Sequence, residues 1–317
     1  MKAALVKALG ILLMLSAVAL ALSQAPDRPV TSLVARWAPP PSDFVDVKGQ
    51  IVHLRDEGPR DDPLPVVLLH GTSSSLHTWE GWVRALKSQR RVITLDLPGF
   101  GLTGPFSGEY PPDDYRGDTY ARFVLDLLDS LHVQRFVIGG NSLGGEIAWR
   151  IAFMARDRVA QLILVDAGGL AVTPGSVPLG WRIARIPGLG RIFEHVLPRA
   201  LVAQGLVEVY GHPDRVTPAL VDRYYELTLR EGNRRALVQR LRQADPGADA
   251  ARIPTLRLPT LILWGGRDHL IAPAAGREFQ RLIPGSRLVV FDDLGHVPQE
   301  EDPVRTVQPA REFLGLH

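Results

Sequence analysis

Six short apolar runs rich in β-branched residues recur along the chain with helical patterns between them: "PVVLLHG", "RVITLDLPG", "RFVIGGNS", "QLILVDAGG", "PTLILWGGRD" and "SRLVVFDDLG". Runs this short and this uniformly apolar read as strands buried on both faces, the situation of a parallel sheet whose crossover helices cover either side. The clearest intervening helix carries Tyr120, Phe123, Val124, Leu127, Leu128 and Leu131 on one stripe at i, i+3, i+4, i+7 spacing. Ahead of the first run, "FVDVKGQIVHLRDEG" alternates on both sides of Lys48-Gly49, the pattern of an antiparallel hairpin. The expectation is an α/β architecture: a mostly parallel eight-stranded sheet with helices on both faces.

One interval breaks the alternation. Residues 170–254 have no strong strand run but several amphipathic stretches, such as "PALVDRYYELTLREGNRRALVQRLRQA", and read as a helical insertion. The core is then 43–169 and 255–317, preceded by a Pro- and Ser-rich linker at 26–42. Within the insertion, Pro187, Gly188 and Gly190 in "RIPGLGRIF" suggest a bend. A chain of 317 residues with 45% hydrophobic content can bury a core of this size, and it contains no internal repeat.

Residues 1–25 form a segment of their own. Lys2 and Lys7 precede "ALGILLMLSAVALALSQAP", an uncharged apolar run ending in small residues, which reads as an export signal with the body of the chain translocated. Its length suits a removed signal peptide and a retained membrane anchor equally, so a periplasmic or an outward-facing membrane-anchored protein is expected. The alternative, a buried N-terminal helix, fits less well with a run that has no polar face. Without Lys2 and Lys7 the chain carries 34 basic and 34 acidic side chains, a balance that offers nucleic acid no electrostatic footprint. The absence of cysteine excludes disulfides, thiolate metal sites and a thiol nucleophile together.

Ligand crevices of open parallel sheets lie beyond the carboxyl ends of the strands, and the polar motifs fall there. In "FVIGGNSLGGEIAW", Ser142 follows a strand pattern and opens a helical one. Gly140 and Gly144 leave room for the tight turn that would expose a nucleophilic hydroxyl, and the helix N-terminus favours developing negative charge. A serine needs a base oriented by an acid. His296, in the loop after the last strand run, and Asp268, just past the preceding one, complete the chain order Ser, Asp, His. Asp166 also ends a strand and is a rival acid, while Asp292 and Asp293 sit at the strand end of His296 itself. Leu143 N–H and Thr72 N–H, the latter in "LLHGTSSSLHTW", are the candidate oxyanion donors. His70 reads as a residue that fixes this loop by hydrogen bonds. Asn141 is a candidate substrate contact, or simply tolerates the turn.

Together "LLHGTSSSLHTW", "DLPGFGLTGP", "GGNSLGG", "LWGGRD" and "LGHVPQEEDP" resemble the motif series of the α/β-hydrolase superfamily from about Val45 to Leu314. The resemblance implies a catalytic triad at Ser142, Asp268 and His296, oxyanion donors at Thr72 and Leu143, and a helical cap in the insertion. It implies hydrolysis of a small-molecule ester without metal or cofactor. "GNSLGG" is similar to esterases and to the meta-cleavage C–C bond hydrolases, and Arg234 or Arg235 in "LREGNRRA" could meet an acidic substrate. The C–C branch usually carries Trp after the catalytic histidine, where this chain has Val297, a further candidate substrate contact. Haloalkane dehalogenases and epoxide hydrolases use Asp where this chain has Ser142. An acyltransferase or lactonase would use the same residues. A non-catalytic binding module would have no reason to keep them all.

Overall fold

Lys48 and Gly49 both adopt positive φ, 54° and 82°, the pair of conformations that a two-residue hairpin turn demands. They join β1 (Ser42–Val47) to β2 (Gln50–Glu57), which pair antiparallel along their length. The computed structural model describes residues 5–7, 10–11, 14, 23–171, 177–186 and 193–316. The sheet continues through β3 (Val66–Leu69), β4 (Val92–Leu95), β5 (Phe136–Asn141), β6 (Val159–Val165), β7 (Thr260–Gly265) and β8 (Arg287–Phe291) in the order β1-β2-β4-β3-β5-β6-β7-β8. β2 meets β4 antiparallel, and every later pairing is parallel. Each of the six apolar runs is a strand, as the alternation requires.

Helices cover both faces. On one, α2 (Glu80–Leu86) and α10 (Pro303–Phe313) pack Trp82, Val83, Leu86, Val307 and Ala310 on Val66, Leu68, Val92 and Val137. On the other, α3 (Gly117–Ser130), α4 (Leu143–Met154) and α9 (Ala274–Leu282) bury Phe123, Leu127, Ile147 and Phe279 against Val67, Leu69, Ile93 and Ile138. Alternate strand residues point to opposite faces, which is why successive side chains of β3 divide between the two cores.

Between β6 and β7 the described residues form α5 (Leu179–Arg185), α6 (Arg199–Val209), α7 (Pro218–Thr228) and α8 (Asn233–Gln243), and no strand. Pro187, Gly188 and Gly190 lie outside the described residues, as does most of the apolar segment 1–25. Among the described residues no helix is long and apolar enough to cross a membrane.

The segment read as a linker lies over the insertion as a strap. It contains α1 (Thr31–Trp37), and its backbone pairs with the insertion at Gln24–Val196 and Arg28–Arg230. Arg28 N–H donates to Leu229 O at 2.7 Å and Glu231 N–H returns the bond to Arg28 O at 2.8 Å. Trp37 Nε1 donates to Glu226 on α7 at 2.7 Å, and Leu33 is buried between Leu102 and Leu227. Proline and serine content signals missing regular structure, not missing contacts; here the backbone groups are satisfied by a neighbour instead of by water.

Candidate active site

Ser142 lies between β5 and α4 with φ 54° and ψ −115°, a conformation that L residues adopt only when their surroundings enforce it. Its N–H donates to Val165 O, and its carbonyl accepts from Glu146 and Gly168, so the backbone is fixed on both sides. The flanking glycines are required by contact: a Cβ on Gly140 would lie 2.2 Å from the carbonyl of Gly144, and one on Gly144 2.2 Å from Leu69 O. The turn brings the Ser142 hydroxyl to the carboxyl edge of the sheet at the start of α4, with Leu143 as the first helical residue.

His296 and Asp268 meet there. His296 Nδ1 is 2.7 Å from Asp268 Oδ2, and both side chains are buried. Asp268 Oδ1 accepts from Leu270 N–H at 2.8 Å and Ile271 N–H at 2.9 Å, which leaves Oδ2 for the imidazole. This fixes the neutral histidine with its proton on Nδ1 and a free lone pair on Nε2. Asn141 Nδ2 donates to His296 O at 2.9 Å and to Val165 O at 3.2 Å. One amide hydrogen therefore holds the loop of His296 and the other the end of β6, while Asn141 also borders the cavity. Glu301 holds the His296 loop from the other side, accepting from Gly295, Gly211 and His212 N–H. In "PQEED" nothing in the sequence separates Glu301 from a solvated acidic run, so this role escapes the sequence reading.

Asp166 is not bonded to His296 but stands behind the pair. One ligand atom each from Asp166, Asp268 and His296 lies within 4.8 Å of the others. Asp166 Oδ1 accepts from Gly265 N–H at 2.9 Å, and Oδ2 is buried without a partner. Burial first, and the neighbouring Asp268 second, push its carboxyl well above the usual carboxylate range. Within this cluster His296 Nδ1 is already bonded to Asp268. Unfolded, Asp166 loses its proton above pH ~4, while the folded form keeps it, so stability falls as pH rises from there toward the raised folded value. Asp166→Asn, which keeps the acceptor for Gly265, should be more stable than the parent by a margin that widens between pH 4 and 8. Thermal unfolding across that range checks it, and a pH-independent margin would refute it.

The loop after β3 is held from below. Leu97 N–H donates to His70 Nε2 at 3.0 Å, so Nδ1 carries the proton and donates to Gly71 O at 2.7 Å. Burial pushes His70 down from its ordinary value, in keeping with a neutral ring. Asp96, at the end of β4, accepts from Leu76 and Leu102 N–H and from His53. Burial opposes its charge, but His53, His70 and His77 hold its carboxyl well below the usual range. Gly71 passes so close to Ser142 that a Cβ there would sit 3.1 Å from Ser142 Cβ. Thr72 follows it into the cavity wall.

That cavity, about 110 Å³, is lined by Thr72, Ser142 and His296 at its floor and by α5, α6 and α7 above. Val297 is part of its wall and packs with Leu206 and Val221. Arg234 and Arg235 are not. Arg234 is buried and pairs with Asp27 of the strap at 2.5 Å, and Arg235 is exposed beside Asp113 at 3.7 Å. A helix sequence names the residues but not the rotation of the helix over the site; α8 turns Leu237, not its arginines, toward the cavity.

The alpha/beta hydrolase fold family model matches residues 65–303. A 2-hydroxy-6-oxo-2,4-heptadienoate hydrolase of Pseudomonas putida is 28% identical over 262 residues, 79% of this chain and 88% of that protein. The structure of a membrane phospholipase A from a bacterium is similar at a TM-score of 0.70 and 25% identity, over 98% of this chain and 95% of the other. A thermophilic esterase of Thermogutta terrifontis is similar at a TM-score of 0.67 and 27% identity, over 86% of this chain and 98% of the other. The chain belongs to the α/β-hydrolase fold family.

Proposed function

We propose that this hydrolase cleaves carboxylic esters through an acyl-enzyme on Ser142, with His296 as base and Asp268 as the acid that orients it. The observation that carries the proposal is the strained Ser142 opening into the same cavity as His296, whose other ring nitrogen is committed to a buried Asp268. His296 Nε2 removes the Ser142 proton as Oγ attacks the ester carbonyl, and Thr72 and Leu143 N–H receive the oxyanion. Collapse expels the alcohol, which takes the proton from His296. Water then enters and gives a proton to His296 as it attacks the acyl carbonyl; the bond to Ser142 Oγ breaks, Oγ takes that proton back from His296, and the carboxylic acid leaves.

The helical insertion serves as a cap over this reaction, and the apolar N-terminal run supports an exported enzyme, its leader either removed or kept as an anchor. A membrane phospholipase A alike along nearly the whole chain supports the same reading. The C–C bond hydrolase alternative draws on the Pseudomonas putida relative. Against it, among the described residues no Lys or Arg lines the cavity to meet an anionic substrate. Acyl transfer and lactone opening use the same steps with a different acceptor or leaving group.

The test is a fluorophosphonate probe added to cells producing the full chain. One adduct on Ser142, found outside the cytoplasm and absent from Ser142→Ala, is expected. An unlabelled wild type or an adduct elsewhere defeats the nucleophile assignment, and a cytoplasmic adduct defeats export.

A further inference from the structure

Glycine is among the least favourable residues inside a helix, so a glycine there calls for a reason. α4 gives one: Gly144 is pressed against the backbone of Leu69. Gly205, in the interior of α6, has none of the usual kind, and Gly180, in the first turn of α5, is likewise uncrowded. Neither lies at positive φ. A Cβ on Gly205 would meet nothing nearer than Pro178 at 3.9 Å, and one on Gly180 only Leu201 and Phe193 at 3.4 Å and beyond, ordinary contact distances. Among the described residues no neighbour needs the space.

Both glycines line the cavity that holds Ser142 and His296. Gly205 stands in the middle of the α6 face made by Leu201, Val202, Leu206 and Val209, at the i, i+1, i+4, i+5, i+8 spacing of one helix side. Apart from the histidine, no ionisable Asp, Glu, Lys or Arg lines the cavity among the described residues. A carboxylate carried into this space would lose its hydration without meeting a Lys or Arg among the described residues, whereas each methylene would gain roughly fourfold in binding.

We propose that Gly205, with Gly180, keeps open a channel for an uncharged alkyl acyl chain running from Ser142 beneath α5 and α6. The proposal rests on the ester-hydrolase reading and names the substrate class of that same site. Gly205 is a specificity-determining residue: it contributes the space into which the chain extends and takes no part in the chemistry. The leaving alcohol is not constrained by it.

Hydrolysis of 4-nitrophenyl acetate and 4-nitrophenyl decanoate by wild type, Gly205→Leu, Gly205→Ala and Ser142→Ala tests this. Wild type should favour decanoate over acetate in kcat/KM, and over the monoester of decanedioic acid by at least ~100-fold. Gly205→Leu should shift the decanoate-to-acetate ratio of kcat/KM toward acetate by at least ~15-fold, the worth of about two methylenes. Gly205→Ala should lose ~4-fold on decanoate while raising Tm by about 1–2 °C, because alanine is the better helix former. This variant also decides the matter if the leucine substitution prevents folding. Equal losses on both esters, an unchanged decanoate rate, or acceptance of the dicarboxylic monoester overturns the proposal. If Ser142→Ala hydrolyses acetate as fast as wild type, the ester-hydrolase reading itself has failed, a result distinct from an inactive Ser142→Ala beside an unselective Gly205→Leu.

Discussion

Ser142→Ala should lose about 10⁵-fold or more in kcat for ester hydrolysis while KM changes by only severalfold. Removing the hydroxyl abolishes the acyl-enzyme and leaves Thr72 and Leu143 N–H to polarise a carbonyl that only water can attack. What survives is the binding and oxyanion contribution, the small residue over uncatalysed hydrolysis that remains when a triad is dismantled. The backbone need not change, since Ser142 is held at φ 54° by hydrogen bonds of its own N–H and carbonyl, which alanine retains. An unaltered Tm is therefore the expected control. Retention of more than a few per cent of wild-type kcat, in enzyme free of wild-type contamination, would remove Ser142 from the mechanism.

Asp268→Asn is the second large effect, about 10⁴-fold in kcat. The amide oxygen can still accept from Leu270 and Ile271, so the loop stays in place. What faces His296 is then an N–H donor where a carboxylate oxygen stood at 2.7 Å. The imidazole must answer with a lone pair on Nδ1 and carry its proton on Nε2, the wrong tautomer for accepting one from Ser142. Asp166→Asn makes the contrast: its own contact is with Gly265, and it should cost less than ~10-fold. Measuring kcat/KM of both variants at pH 8 separates the two acids. A larger loss for Asp166→Asn would move the orienting role to the end of β6.

The fold is legible in the sequence because a parallel sheet is written in its own code: runs such as Val66–Leu69 and Thr260–Gly265 are apolar throughout, and helical stripes separate them. Ser142, Asp268 and His296 are legible for a related reason. Each lies at the end of such a run, and ends of neighbouring parallel strands converge on one edge. Nothing comparable locates α8 over the site, so the same sequence offers Arg234 to the substrate when the structure gives it to Asp27. Asp166 shows the limit of a strand-end rule: position brings it to the edge, but its burial first and Asp268 beside it second raise its carboxyl above the usual range, and neither is written in the sequence. Gly205 left no trace at all, because an empty volume is made by residues from several segments and belongs to none of them.

The strap changes what kind of moving part the insertion can be. A body joined to its base only through the ends of β6 and β7 could swing like a flap on one hinge line. Here Gln24, Arg28 and Trp37 clamp it from a third direction, through backbone pairing and the Trp37–Glu226 bond. Three anchor points define a plane and leave no axis free for rotation. Substrate admission must then come from local bending of the segments between anchors, and cutting the chain within residues 23–37 would convert a braced roof into a hinged one.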